Sequence, residues 1–215
     1  MDFGSAFTYP TRDPEWIKKA LLGGVLSMIP IANFIPVGHM LAVAEEVSQG
    51  ADQQLPPWDQ LGGYFKKGFG VAVISIVIML PVILLLVCGY GLGLGLITAT
   101  GGDVDEGTLN IVLIAVQCVV FVLALISALF LPAALSEYVV TGRVGAAINP
   151  SAVLAEFRAR AGQYVVLGLL AVFGAWLAAL LGMIACGLGV FLTVPYFNFV
   201  YGNLLGQLVA ARRGR

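Results

Sequence analysis

Charge is scarce in this chain. Lys and Arg number 11 and Asp and Glu 12 among 215 residues, a charged share of 11%, against roughly 25% in a soluble domain. Histidine occurs once and cysteine three times, at Cys88, Cys118 and Cys186, too few and too scattered for a disulfide scaffold or a Cys/His zinc cluster. A net charge of −1 supplies no basic excess that would favour nucleic acid as a partner. HExxH, a Walker loop and a Ser, His and Asp set are all missing. Nothing in the residues therefore calls for a cofactor or a metal, and an enzyme is not expected.

What fills the chain instead is apolar: 60% of residues are hydrophobic and the mean hydropathy is +0.97. Four stretches hold no charge at all: residues 20–44, 68–102, 107–136 and 161–211. Each reaches the roughly 20 residues that a helical membrane span needs. The last would make a helix of about 75 Å against a bilayer core of about 30 Å, so it is expected to fold back at Cys186-Gly187-Leu188-Gly189, with Pro195 kinking the second half. The expected fold is all-α, a polytopic membrane helix bundle forming one integral membrane domain over residues 1–215.

Residues 20–44 carry Pro30 and Pro36 on either side of Asn33. Proline removes a helical donor and turns its predecessor away from helix, so a short helix in, an apex near Asn33 and a short helix back are expected within residues 1–50, in preference to a single span that would put Arg12, Lys18 and Lys19 outside. An amphipathic helix and two spans follow in 51–142, and the same again in 143–215. The opening residues, polar and aromatic with Pro10 and Pro14, do not read as a signal peptide. Basic residues are retained on the cytoplasmic side. They cluster at Arg12, Lys18 and Lys19, at Lys66 and Lys67, at Arg143, Arg158 and Arg160, and at Arg212, Arg213 and Arg215. Residues 98–108 hold only acidic charge, Asp103, Asp105 and Glu106. A cell-membrane location with both termini cytoplasmic and loop 98–108 external follows.

Internal echoes point to parallel repeats. Glu45 and Gly50 correspond to Glu137 and Gly142, while Leu55, Pro57 and Leu61 correspond to Ile148, Pro150 and Leu154. Cys88-Gly89-Tyr90-Gly91 recurs as Cys186-Gly187-Leu188-Gly189, and residues 29–35 as 194–200. Each copy starts and ends on one side, which relates the copies by an axis along the membrane normal. Cytoplasmic amphipathic helices are expected at Trp58, Leu61 and Phe65, with Lys66 and Lys67 toward headgroups, and from Asn149, a good N-cap ahead of Pro150. There Val153, Leu154, Phe157 and Ala161 oppose Glu156, Arg158 and Arg160. Trp16, Tyr64, Tyr138 and Tyr164 suit an interfacial aromatic belt.

Three stretches carry a family resemblance. Leu55-Pro56-Pro57-Trp58-Asp59-Gln60-Leu61-Gly62-Gly63-Tyr64-Phe65-Lys66-Lys67-Gly68, the opening Met1-Asp2-Phe3-Gly4-Ser5-Ala6-Phe7-Thr8-Tyr9-Pro10, and Gly142-Arg143-Val144-Gly145-Ala146-Ala147-Ile148-Asn149-Pro150 stand in this order. Together they resemble the prokaryotic membrane family known as domain of unknown function 4013. Gln60 and Gly63 are more neutral than that pattern. The resemblance implies a bacterial or archaeal membrane protein with a multi-helix bundle, and brings no catalytic residues with it.

Candidate functional residues are few. Asn33, Asn198, Asn203 and Gln207 are polar groups in apolar surroundings, able to join helices by hydrogen bonds or to line a path. Glu45 and Glu137 are expected to pair with Lys66, Arg143 or Arg158. Gly89 with Gly93, Gly91 with Gly95, and Gly202 with Gly206 are small-xxx-small pairs for close helix packing. The cysteines read as small packing residues. His39, with Glu45 and Glu46 beyond it, is the one conceivable acid–base group, though a backbone-bonded histidine is the simpler expectation. Three functions compete: a non-catalytic subunit or organiser of a lipid environment, which we favour; a small-solute or lipid transporter or channel; and a membrane enzyme using His39. The partners expected are the lipid bilayer and other membrane proteins or a second copy of the chain.

Overall fold

The computed structural model describes residues 1–51, 54–99, 105–184 and 187–214, and these are helical with no strand among them. The order is α1 (Phe3–Thr8), a 3₁₀ turn (Pro10–Arg12), α2 (Trp16–Met28), α3 (Phe34–Ser48), α4 (Leu61–Ala99), α5 (Glu106–Thr141), α6 (Val144–Ala147), α7 (Pro150–Ala159), α8 (Ala161–Ile184) and α9 (Val190–Arg213).

Pro30 lies between α2 and α3, where the chain is held by turn bonds from Ile29 N–H to Leu26 O and from Asn33 N–H to Ile29 O. Pro36 falls in the first turn of α3, where backbone donors have no intrahelical acceptor and a missing one costs nothing. α2 and α3 run back along each other: Ala20 and Val43 share one apolar cluster, while Gly23 and His39 both meet the Trp58 ring.

α4, α5 and α8 are long and apolar enough to cross a membrane, and only 17%, 11% and 22% of their most apolar stretches are buried in the protein. α9 is different. Phe197, residues 199–206, Leu208 and Val209 are buried, because α2, α3, α5 and α8 all pack on it. A helix enclosed by protein has no need to be lipophilic, which is why α9 tolerates Asn198, Asn203 and Gln207 and falls outside the apolar set. The second half of the 161–211 run, expected as the fourth span, thus forms the polar-tolerant core of the bundle.

Contacts between α3 and its neighbours depend on glycine. A Cβ on Gly38 would stand 1.7 Å from the Tyr64 carbonyl oxygen, and one on Gly68 1.7 Å from that of Phe34, so α3 and α4 cross backbone to backbone. α9 does the same: a Cβ on Gly202 would lie 2.5 Å from Met40 O, and one on Gly206 2.7 Å from Ala44 O. Gly89 nests against Val116 of α5, while Gly93 makes only ordinary contact with Leu113, and Gly91 and Gly95 face open space.

Several expectations need correction. No separate amphipathic helix precedes α4; Leu61, Phe65, Lys66 and Lys67 are the first turns of one continuous helix. Its Tyr64 is buried and its Phe65 packs edge-on against Phe34, so tertiary contacts carry the helix straight through. Two sequence echoes have no structural counterpart. Residues 29–35 span a turn where 194–200 are helical, and Gly89 is inside a helix where Gly187 occupies a turn at φ +79°. The first residue of that tetrapeptide, Cys186, lies outside the described residues, as do residues 100–104 of the loop at 98–108. Glu45…Gly50 and Glu137…Gly142 do take one local form: each glutamate is ion-paired, and each glycine ends its helix at positive φ, +87° and +64°.

Candidate functional site

Two polar clusters organise one end of the bundle. The first surrounds the segment from Leu55 to Trp58, which wedges between α2 and α3. Asp13, 3% exposed, accepts from Lys19 Nζ at 2.7 Å and from the Leu55 N–H at 3.1 Å, and Lys19 also donates to Leu55 O at 2.7 Å. Burial pushes the Asp13 carboxyl up. The Lys19 ammonium and the Glu15 and Leu55 amides outweigh it, and its pKa is lowered overall. Tyr9 donates to Gln54 O at 2.9 Å and Tyr64 to Pro57 O at 2.7 Å.

His39 is fully buried on the other side of this wedge. Its Nε2 lies 2.9 Å from Pro56 O; a carbonyl only accepts, so Nε2 carries the proton. Its ring stacks on Trp58 at 4.2 Å and 10°, with Tyr64 and Phe199 edge-on or tilted around it. His39 Nδ1 and Trp58 Nε1 have no hydrogen-bond partner among the described residues. The imidazole is engaged with backbone and aromatic rings, and no bond joins it to Glu45 or Glu46.

The second cluster ties α5, α7, α8 and α9 together. Arg212 donates to Glu137 at 2.7 Å, and its Nε lies 3.3 Å from Glu156. Tyr164 donates to Glu156 at 2.8 Å, with the Ser136 hydroxyl 2.8 Å from its own. Arg160 sits 4.0 Å from Glu156 and donates to Leu208 O and Ala211 O at 3.0 and 2.8 Å. Ala211 lies in the last turn of α9, where a cation is also favoured by the helix dipole. Nearby, Arg213 donates to the Ser48 hydroxyl at 2.8 Å, and Lys67 bonds Glu45.

Ion-pair partners therefore differ from those expected. Glu45 takes Lys67 in place of Lys66, one residue along α4, and Glu137 takes Arg212 from the far end of the chain. Arg143 and Arg158 are exposed and form no ion pair among the described residues. α7 does begin at Pro150, with Asn149 accepting from the Ser151 N–H at 3.1 Å. Glu156 and Arg160, expected on its wet face, instead turn inward to meet Arg212 and α9, with side chains 12% and 7% exposed. Tyr64, Tyr138 and Tyr164 are buried in the bundle instead of forming a belt, and Trp16 packs edge-on against Tyr196. Cys88 and Cys118 are exposed, so they do not fill packing gaps.

The four polar candidates are not gathered around a common space. Asn33 is exposed at the α2–α3 turn and Asn198 is half-buried, and neither side chain hydrogen bonds among the described residues. Asn203 is 2% exposed and accepts from Gln207 Nε2 at 2.8 Å. Gln207 also accepts from the Asp2 N–H at 2.6 Å and donates to Asp2 O at 3.1 Å, strapping α1 onto α9. No group of three or more His, Cys, Asp or Glu residues able to hold a metal ion occurs among the described residues.

Fold and clusters define an all-helical protein with three helices able to cross a membrane, tied at one end by a buried charge layer. Comparison with protein families gives a match to the model described as a protein of unknown function, DUF4013, over residues 22–201, and the chain belongs to that family. Neither the curated proteins nor the solved structures contain a match.

Proposed function

We propose that the chain is a multi-pass integral membrane protein of non-catalytic role, a membrane complex subunit or an organiser of its lipid environment. The observation that carries this is the contrast between its two surfaces. α4, α5 and α8 leave most of their apolar length uncovered, a surface that belongs in hydrocarbon or against another membrane protein. Glu45, Glu137, Glu156, Arg160 and Arg212 at the bundle end are meanwhile engaged in joining helices.

In this reading α4, α5, α8 and α9 cross the bilayer. α2 and α3, with 13 and 15 residues, reach only about 20 Å at 1.5 Å per residue and form a re-entrant hairpin. Both arms of the hairpin pack on α9, and the Leu55–Trp58 wedge braces them through Gly23 and His39. The end carrying the charged clusters faces the cytoplasm and the loop at 98–108 faces outward, which keeps the basic residues inside. A solute path has less support, because Asn33 and Asn198 stand apart from the bonded Asn203–Gln207 pair.

The test is purification from the native membrane in mild detergent, with mass spectrometry of everything retained. A stoichiometric protein or lipid partner is the expected result. A chain released from membranes by alkaline carbonate would contradict the membrane reading, and solute flux after reconstitution would contradict the non-catalytic organiser in favour of transport.

A further inference from the structure

An open groove of about 400 Å³ runs between α4, α5 and the α6–α7 segment, walled by Val77 and Pro81, by Phe130, and by Ile148 and Leu154. Among the described residues that line it, Ser127 alone has a polar side chain. Two arginines adjoin, along the chain, the segments that wall it. Arg143 immediately precedes α6, and Arg158 follows Leu154 by one helical turn, the spacing that puts two side chains on one helix face. Both arginines are exposed and find no carboxylate among the described residues. The carboxylate that could have neutralised them, Glu156 of the same helix, is turned inward to Arg212 and Tyr164. α7 therefore presents uncompensated positive charge beside a hydrocarbon-lined groove.

We propose that this groove holds an acyl chain of one anionic phospholipid, with Arg143 and Arg158 binding its phosphate headgroup. Arginine suits this role, since its planar fork donates to phosphate oxygens in pairs. A second apolar groove, about 310 Å³ beside Trp16, Leu177 and Tyr196, lacks the same offer. There Lys18 pairs with Glu15 and Arg12 leans on the Thr8 hydroxyl.

The proposal rests on the membrane reading, which carbonate extraction tests independently. Its own test is native mass spectrometry of the purified full chain in detergent, titrated with dioleoylphosphatidylglycerol or dioleoylphosphatidylcholine. One phosphatidylglycerol should bind in clear preference to phosphatidylcholine. Arg143→Ala and Arg158→Ala should each cut that preference about fivefold, the ratio equivalent to roughly 1 kcal/mol per basic residue at an anionic headgroup. Leu154→Trp, on an exposed position that fills the groove from outside, should weaken both lipids alike. Arg12→Ala with Lys18→Ala should leave the preference intact. Circular dichroism identifies any variant that has lost its helices; Leu154→Trp then still tests the groove. Equal binding of the two lipids to the unaltered chain, a preference surviving loss of both arginines, or one abolished by the Arg12 and Lys18 pair would each overturn the proposal.

Discussion

His39 and Trp58 lie face to face, ring centroids 4.2 Å apart and 10° from parallel, where the wedge meets the hairpin. Trp58 also touches the position of Gly23 on α2, so one indole braces both arms. Trp58→Ala should destabilise the protein by about 3 kcal/mol, the low end for removing a large aromatic from a packed site, and should open the arms of the hairpin to protease. Thermal unfolding in detergent together with limited proteolysis checks this. Unchanged melting would remove the bracing role.

The Glu137–Arg212 pair joins α5 to α9 with side chains 9% and 25% exposed. Glu137→Gln should cost about 3 kcal/mol, because a partly buried guanidinium loses its closest charge partner. Glu137→Leu combined with Arg212→Met should recover much of that loss, since an apolar pair avoids the desolvation penalty. Glu156 retains Arg160 and Tyr164 in the double variant. Strictly additive losses in a denaturation double-mutant cycle would mean the two residues do not interact.

Acid should loosen the hold of the first 20 residues on the Leu55–Trp58 wedge. Asp13 has a folded pKa below its unfolded value, so its contribution is complete above the ordinary carboxylate range, near pH 4, and fades as pH falls through the folded value. Hydrogen exchange of residues 1–20 should rise in that acidic window in the native chain. Asp13→Asn should show faster exchange at neutral pH and lose the acid-dependent step.

Glycines divide sharply by environment. Gly38→Ala forces a Cβ into the Tyr64 carbonyl and should abolish folded yield or shift α3 off α4. Gly91→Ala and Gly95→Ala, with nothing within 4 Å, should be neutral or gain up to about 1 kcal/mol of helix propensity each. Yield and melting temperature of the three variants decide the matter. Equal tolerance at Gly38 would refute the backbone crossing.

Much of this architecture was legible in local signals. The break around Pro30, the Asn149 cap ahead of Pro150 and the apolar lengths of α4, α5 and α8 each depend on a few neighbouring residues. Partners were not legible, because they depend on rotation and distance in space. Lys66 and Lys67 are adjacent, yet only Lys67 reaches Glu45. Glu156 and Arg160 read as a solvated face until Arg212, far along the chain, supplies the reason to turn inward. Gly38 and Gly68 gave no small-xxx-small pattern with each other, since they meet across two helices.

Topology is the most direct test of the membrane account. With Cys88, Cys118 and Cys186 replaced by alanine, Thr11→Cys, Thr98→Cys and Gly145→Cys would each be challenged with a membrane-impermeant maleimide in intact cells. The account predicts labelling at position 98 alone, with positions 11 and 145 reacting only after permeabilisation. Labelling at position 11 in intact cells would make residues 16–48 a single crossing and contradict the re-entrant hairpin.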